Sequence, residues 1–526
     1  MAFIRTTKTA SKATAVQVVA KVSGKLRILH HIGSAHTPEE LSVLRVKARH
    51  VLSNLPMEYG QQDLFIHAEM TNFTQTLQGA RVTGSKSVLL KNVLDHCYHL
   101  LTFDEIATGL FKLIIYARII EPTSKLDSIR IIEELGEGAS KNGIYAMLSR
   151  SIRDKYRDQL ASRCLSYRQK FPATNLQFVL YDVTTLYFET PKEDGEKEDG
   201  AKEEKSGRRK LGYSKDHRGD CPQIVVGLLV DQLGFPLNIQ MYDGDTFEGN
   251  TLIPSLMEFK TRLSDYTSLT VVADAGMLSH NNLTKLTEAG FGYIVAARTG
   301  KLPDSQLEEL AIASLKKDPS TYTEITTASG RLIMQYSEKR ARLDQRTRER
   351  QVKKAQAIID GTKKGHSVKF TMKSSKDKTH YIFNTKLFQR AQQLEGLKGY
   401  LTSLNNLPAA DIVTQYHSLW HVEKSFRMSK SDLKARPIFH HKNDSIEAHL
   451  TIVMAALAMS RLLQEKTGYS IKKIINILRP LKSVDLKLSM PDYPTYHIRP
   501  ALNPEASQIL FDLGITQPFT GEWDTK

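Results

Sequence analysis

Gln177-Phe-Val-Leu-Tyr-Asp-Val-Thr-Thr-Leu-Tyr-Phe188 is rich in β-branched and aromatic residues and free of Gly and Pro, so it reads as a buried strand with one carboxylate, Asp182, set into it. Downstream, Glu189–Lys210 holds eight acids and seven bases with almost nothing apolar, the pattern of a solvated flexible loop. Strands follow at Gln223–Val230 and Phe235–Tyr242, separated by a turn near Gln232–Gly234. A helix fits Thr251–Ser264, a strand Ser268–Ala273, a helix Ser279–Ala289 and a strand Tyr293–Ala297. The order β-β-β-α-β-α-β, a meander followed by helix-linked strands, predicts a mixed α/β sheet.

Six segments are expected along the chain. Residues 1–80 form a basic α+β module, with alternating stretches at Thr14–Val19 and Lys25–Leu29 and a helix at Pro38–Leu52. Residues 81–172 are helical: Phe103–Tyr116 has helical apolar spacing, Pro122 stops it, and Ser124 with Asp127 resembles a capping box, which makes a candidate helix-turn-helix. Residues 173–300 carry the first part of the mixed sheet, and 301–405 interrupt it with a hairpin around Ser329-Gly330, a basic helix at Lys339–Lys354 and strands near Ser367–Met372 and His380–Asn384. Residues 406–485 return to helix at Ala409–Ser431 and Ser445–Gln464, and 486–526 form a tail.

At 526 residues the chain is long enough for several domains and a large core. Three scattered cysteines exclude a disulfide framework and point to a reducing compartment, the cytoplasm. No membrane association is expected: the longest uncharged apolar stretch, Leu450–Ser460, is too short to span, and the N-terminus lacks a leader-like apolar region. The 73 Lys+Arg against 57 Asp+Glu give a net charge of +16, which suggests a polyanionic partner. Between Arg331 and Arg390 stand 17 basic and 5 acidic residues, and the first 38 residues add 6 bases and no acid, so the charge forms two basic regions. That distribution suits a chain that holds nucleic acid at defined places.

Neither a phosphate-cradling GxxxxGK nor a GxGxxG follows a strand, which argues against nucleotide-driven and dinucleotide chemistry. His96, Cys97 and His99 lack a second ligand cluster, so zinc is not expected. Asp182 inside one strand and Asp274 at the tip of another are costly unless paired or bound to metal. Asp243 and Asp245 form a rival pair that a polar turn explains more simply. On the Ala409–Ser431 helix, Tyr416, Glu423 and Lys430 recur every seven residues and share a face with Arg427, while Leu419, Val422 and Phe426 form the opposite, packed face.

Tyr181-Asp-Val-Thr-Thr185, Gly212-Tyr-Ser-Lys-Asp-His-Arg-Gly-Asp-Cys-Pro-Gln223, Val272-Ala-Asp-Ala-Gly-Met277 and Tyr416…Glu423…Lys430 together resemble, in order and spacing, the bacterial insertion-sequence DDE transposases marked by a Tyr-Arg-Glu-Lys signature. The resemblance implies an RNase H-like core interrupted by the β-rich insertion, with Asp182, Asp274 and Glu423 as the catalytic triad. It further implies two Mg²⁺ ions, with Mn²⁺ as a substitute, held by those three acids. DNA would be contacted by Tyr416, Arg427 and Lys430. Expected partners are terminal inverted repeats and target DNA, engaged by a homodimer in a synaptic complex, with a nucleoid-associated location. The signature's Arg falls on Leu419, and with only Trp420 and Trp523 present, the insertion has no tryptophan to stack on a hairpin end. Two other readings are a hydrolytic nuclease on the same fold and a non-catalytic DNA-binding descendant, against which the retention of all three acids argues.

Overall fold

The computed structural model describes residues 2–10, 13–22, 24–53, 80–170, 176–194, 207–263, 269–277, 279–310, 315, 318, 320–362, 368–374, 380–488 and 495–519. The centre of the charged loop, Trp523 and the tail stretch Pro491–Pro494 lie outside the described residues. The chain divides into two compact units, residues 1–85 with 484–499, and residues 86–483 with 500–526.

In the smaller unit, strands Ala2–Lys8, Thr14–Val22 and Lys25–Ala35 form an antiparallel sheet covered by helix Pro38–Ser53. Val16, Val18 and Ala48 meet at its centre, and the outward positions keep the basic residues in solvent.

The larger unit is built on an eight-stranded sheet. In chain order its strands are β1 (Phe178–Tyr187), β2 (Gln223–Val230), β3 (Pro236–Asp243), β4 (Leu269–Ala273), β5 (Phe291–Ala297), β6 (Thr323–Thr327), β7 (Gly330–Tyr336) and β8 (Leu397–Thr402). Their order across the sheet is β6-β7-β8-β5-β4-β1-β2-β3. β1, β2 and β3 form the antiparallel meander, and β4 and β5 add parallel strands on the other side of β1. The unbroken apolar run of β2 is explained by burial of all eight of its residues, as expected for a strand covered on both faces.

The segment after residue 300 extends this sheet. The hairpin β6–β7 pairs through β8 with β5, so its strands continue the ladder antiparallel. The basic helix α1 (Glu338–Ile359) leaves the end of β7, and a small ribbon of Thr371–Lys373 and Tyr381–Phe383 follows it. Ser337 starts α1 by accepting from the Arg340 amide and gives its own amide to the Gly396 carbonyl at 2.9 Å, beside the start of β8.

The expected helix Ala409–Ser431 is three pieces: α2 (Ala409–His417), α3 (Trp420–Arg427) and a π turn at Met428–Asp432. Leu419 sits at the break and is buried, and Val422 and Phe426 continue that packed face. α4 (Asn443–Thr467) crosses the unit against helices Leu110–Ile120 and Lys141–Arg153 and strand β3. It is long and apolar enough to span a membrane, but 89% of that window is buried in the unit, which identifies a core helix.

The β2–β3 turn fixes α3. Asp231 accepts from the Leu233 and Phe235 amides at 2.9 and 2.8 Å, which places Gly234 at φ +83°. A Cβ there would lie 2.7 Å from the Arg461 guanidinium and 2.9 Å from the His421 carbonyl. That close approach lets Ser425 of α3 donate to the Gly234 carbonyl at 2.6 Å. Behind the turn, Arg168 pairs with Asp231 at 2.8 Å and binds Glu465 through both carboxylate oxygens. Two partners and the Phe235 ring, 4.3 Å from the guanidinium, compensate this buried charge.

Candidate active site

β1 and β4 run parallel with Tyr181 opposite Ala273, so Asp182 and Asp274 each stand one residue beyond the last registered pair. Adjacent strands lie about 4.8 Å apart, which brings the two acids to the same edge of the site. Asp182 is mostly buried, and its Oδ1 accepts from the Val183 amide at 2.7 Å. Burial pushes its carboxyl up to about 6; Lys215 opposes the shift, and Glu248 and Asp274 add to it. Asp274 is exposed at the strand tip, where its Oδ1 accepts from the Tyr416 hydroxyl at 3.0 Å.

Glu423 projects into solvent from α3. It and Asp274 both act electrostatically on Lys398 of β8 and on Tyr416. Lys398 lies 4.4 Å over the Tyr416 ring, and Tyr400 meets the same ring edge-on at 5.0 Å. Burial, reinforced by Asp274, raises the Tyr416 hydroxyl well above its ordinary range, so it remains a donor.

Among the described residues, no three His, Cys, Asp or Glu side chains stand at coordinating spacing. Asp182 approaches Glu248 through the Lys215 ammonium, 3.8 Å from Asp182 and 3.0 Å from Glu248, while Asp274 bonds to Tyr416 and shares with Glu423 an electrostatic influence on Tyr416 and Lys398. The three acids offer only carboxylate oxygens, suited to hard divalent cations, and an ammonium already links one of them, Asp182, to a fourth acid, Glu248.

The signature residues divide. Tyr416 is buried, whereas Arg427 is exposed. Lys430, in the π turn, is held by Asp216 with both carboxylate oxygens at 3.2 Å, and Arg436 approaches the same carboxylate at 3.1 Å. Burial lowers the Lys430 ammonium's pKa against the pull of Asp216, and Arg436 and Lys215 lower it further. The rival acids do not join the site: Asp243 is exposed at the strand end, where its carbonyl closes a turn onto the Thr246 amide. His96, Cys97 and His99 diverge, with His96 on the Leu513 carbonyl, Cys97 buried and His99 paired with Asp104.

Sequence reasoning missed Lys215, Asp216, Glu248 and Lys398. The first two lie within the Gly212–Gln223 motif, whose Lys-Asp pair was the available signal. Nothing local marks Glu248 or Lys398 as neighbours of the acids.

A family model described as "Transposase DDE domain" matches residues 174–459, the span that contains all of these groups. The chain belongs to the DDE transposase family. Among solved structures, it is similar to a piggyBac transposase in a synaptic complex with hairpin DNA, at 10% identity and TM-score 0.36, over 74% of this chain and 76% of that one. It is also similar to a Mos1 transposase in a paired-end complex with a left transposon end, at 14% identity and TM-score 0.15, over 38% of this chain and 57% of that one. At those scores neither likeness carries an argument about this transposase. No curated protein matches the chain.

Proposed function

We propose that this transposase cleaves DNA strands at the ends of an insertion sequence and joins the freed 3′-hydroxyl to target DNA, on an RNase H-like core. Asp182, Asp274 and Glu423 would hold divalent cations, two Mg²⁺ with Mn²⁺ as a substitute. The observation that carries this reading is the meeting of Asp182 and Asp274 on adjacent parallel strands, with Tyr416 bonded to Asp274 at 3.0 Å.

Cations bound there would supply positive charge against the negative charge growing on the entering and leaving oxygens of an in-line phosphodiester displacement. Tyr416 orients Asp274, and the cation–π stack of Lys398 holds Tyr416. Lys215 keeps Asp182 and Glu248 facing one cationic centre. Lys430 and Arg436, both held by Asp216, would meet the DNA backbone with Arg427 and Tyr416. The basic N-terminal unit would add charge for the terminal inverted repeats and α1 for the DNA backbone, and two ends require two active sites, hence a homodimer in the synaptic complex.

The test is a joining assay with labelled element ends, a target plasmid and Mg²⁺. Wild type nicks and joins; Asp182→Ala, Asp274→Ala and Glu423→Ala each bind ends but neither nick nor join. Retained nicking in one variant removes that residue from the triad, and nicking without joining by wild type favours a hydrolytic nuclease.

A further inference from the structure

Away from the acids, four basic side chains of the larger unit meet with no carboxylate among the described residues paired to them. Arg118 comes from helix Leu110–Ile120, Lys125 from the turn after it, His449 from α4 and His440 from the loop before α4. Arg118, Lys125 and His449 are buried at 8%, 8% and 4% exposure, while His440 is half-buried. Lys125 Nζ contacts His440 Nε2 and lies 3.4 Å from His449 Nδ1, and an Arg118 guanidinium nitrogen lies 3.5 Å from the same Nδ1.

The tautomer follows from the neighbours. His449 Nε2 is 2.9 Å from the Ala435 carbonyl, which only a donor satisfies, and Nδ1 faces the Arg118 and Lys125 donors, which only an acceptor satisfies, so the ring is neutral. Arg118 also donates to the Leu433 and Lys434 carbonyls. The imidazoles therefore take up hydrogen bonds but cancel no charge, and two cations remain side by side. Burial, reinforced by Arg118, lowers Lys125 to about 7, and no carboxylate offsets it. Adjacent unpaired buried charges are expensive, and the complement this arrangement lacks is an anion.

The surroundings indicate which anion. The loop from Lys430 to Lys442 carries Lys434, Arg436, His440 and His441, with Asp432 as its single acid. Its Ile438 amide binds the Tyr187 carbonyl at 3.0 Å, which ties it to the end of β1, the strand of Asp182. One basic loop therefore leads from the signature lysine to the buried cluster.

We infer that Arg118, Lys125, His440 and His449 form a site for a single oxyanion, filled by a backbone phosphate of bound DNA. The DNA assignment rests on the transposase reading; the anion site itself does not.

The full chain would be melted with and without inorganic phosphate at constant ionic strength, as wild type and as Lys125→Met, and both titrated with duplex DNA across a salt series. Phosphate is expected to raise the wild-type melting temperature by a few degrees and leave Lys125→Met unmoved. Without phosphate the variant should melt no lower than wild type, because a desolvated charge has been removed. Its DNA affinity should fall roughly tenfold at moderate salt, and its log–log salt slope should shrink by about 1. Equal phosphate shifts in both proteins would overturn the anion site. A lost phosphate shift with an unchanged salt slope overturns the DNA assignment, whether or not wild type joins strands. If Lys125→Met does not fold, His440→Gln, at the solvent side of the cluster, takes its place with the same expected losses.

Discussion

The Lys430 ammonium lies 3.2 Å from each carboxylate oxygen of Asp216, so the signature lysine is held by a residue more than two hundred positions earlier in the chain. Asp216 also faces Arg436, and one carboxylate thereby restrains two cations. Asp216→Asn should free both charges. Affinity for duplex DNA should rise and its salt dependence steepen, while stability falls by about 1–3 kcal/mol from the loss of a largely buried pair. Binding isotherms at two salt concentrations and a denaturant melt check both directions; weaker binding with normal stability would sink the restraining role.

Tyr416→Phe removes the hydroxyl from Asp274 and keeps the ring under Lys398 and against Tyr400. The fold should survive with a loss of about 1 kcal/mol. Strand cleavage should need more divalent cation to reach half its maximal rate, because Asp274 is no longer oriented. A cation titration of the nicking rate reads this, and an unchanged midpoint argues against the orienting role.

Leu419→Arg would restore the arginine of the signature, but Leu419 is 7% exposed at the break between α2 and α3. A charge placed there loses water without a partner, at a cost of several kcal/mol. The variant is expected to melt far below wild type and to gain no activity. A stable, more active variant would mean that this helix junction opens readily.

Glu134 binds Arg479 through both oxygens, at 3.0 and 2.8 Å, and accepts from Ser87 at 3.1 Å. The Arg479 bonds hold its carboxyl down at about 2, against 4.5 for a free one. A depressed acid contributes stability above its unfolded value and loses it as pH falls through its folded value, here between about 4.5 and 2. After allowance for solvent screening, Glu134→Gln should cost about 1–2 kcal/mol at pH 7. Melts of both proteins between pH 7 and 2.5 should converge at the acid end; a constant gap would assign the loss to packing.

The sheet was legible because its strands are covered on both faces and read as apolar runs, and the same pattern exposed Asp182 as a charge inside one of them. The packed face of Leu419, Val422 and Phe426 was legible from spacing. The break at Ser418 and the π turn carrying Lys430 were not: they arise where α3 is drawn onto the Gly234 turn, a contact across almost two hundred residues. The merging of β6, β7 and β8 with the core sheet was hidden for a similar reason, since hairpin spacing does not name the strand it will join. Lys398 and Glu248 are ordinary in their local sequence and gain meaning from partners that only the folded chain supplies.

Joining the hairpin to the sheet has a mechanical consequence. α1 rises directly from the end of β7, β7 is laddered to β8, and β8 carries Lys398 onto Tyr416. A load applied to the basic helix would thus pass along a ladder of backbone hydrogen bonds to Lys398, whose cation–π contact reaches the tyrosine bonded to Asp274. Under the proposed function, the helix that would grip DNA and the acids that would cut it are coupled through this one sheet edge.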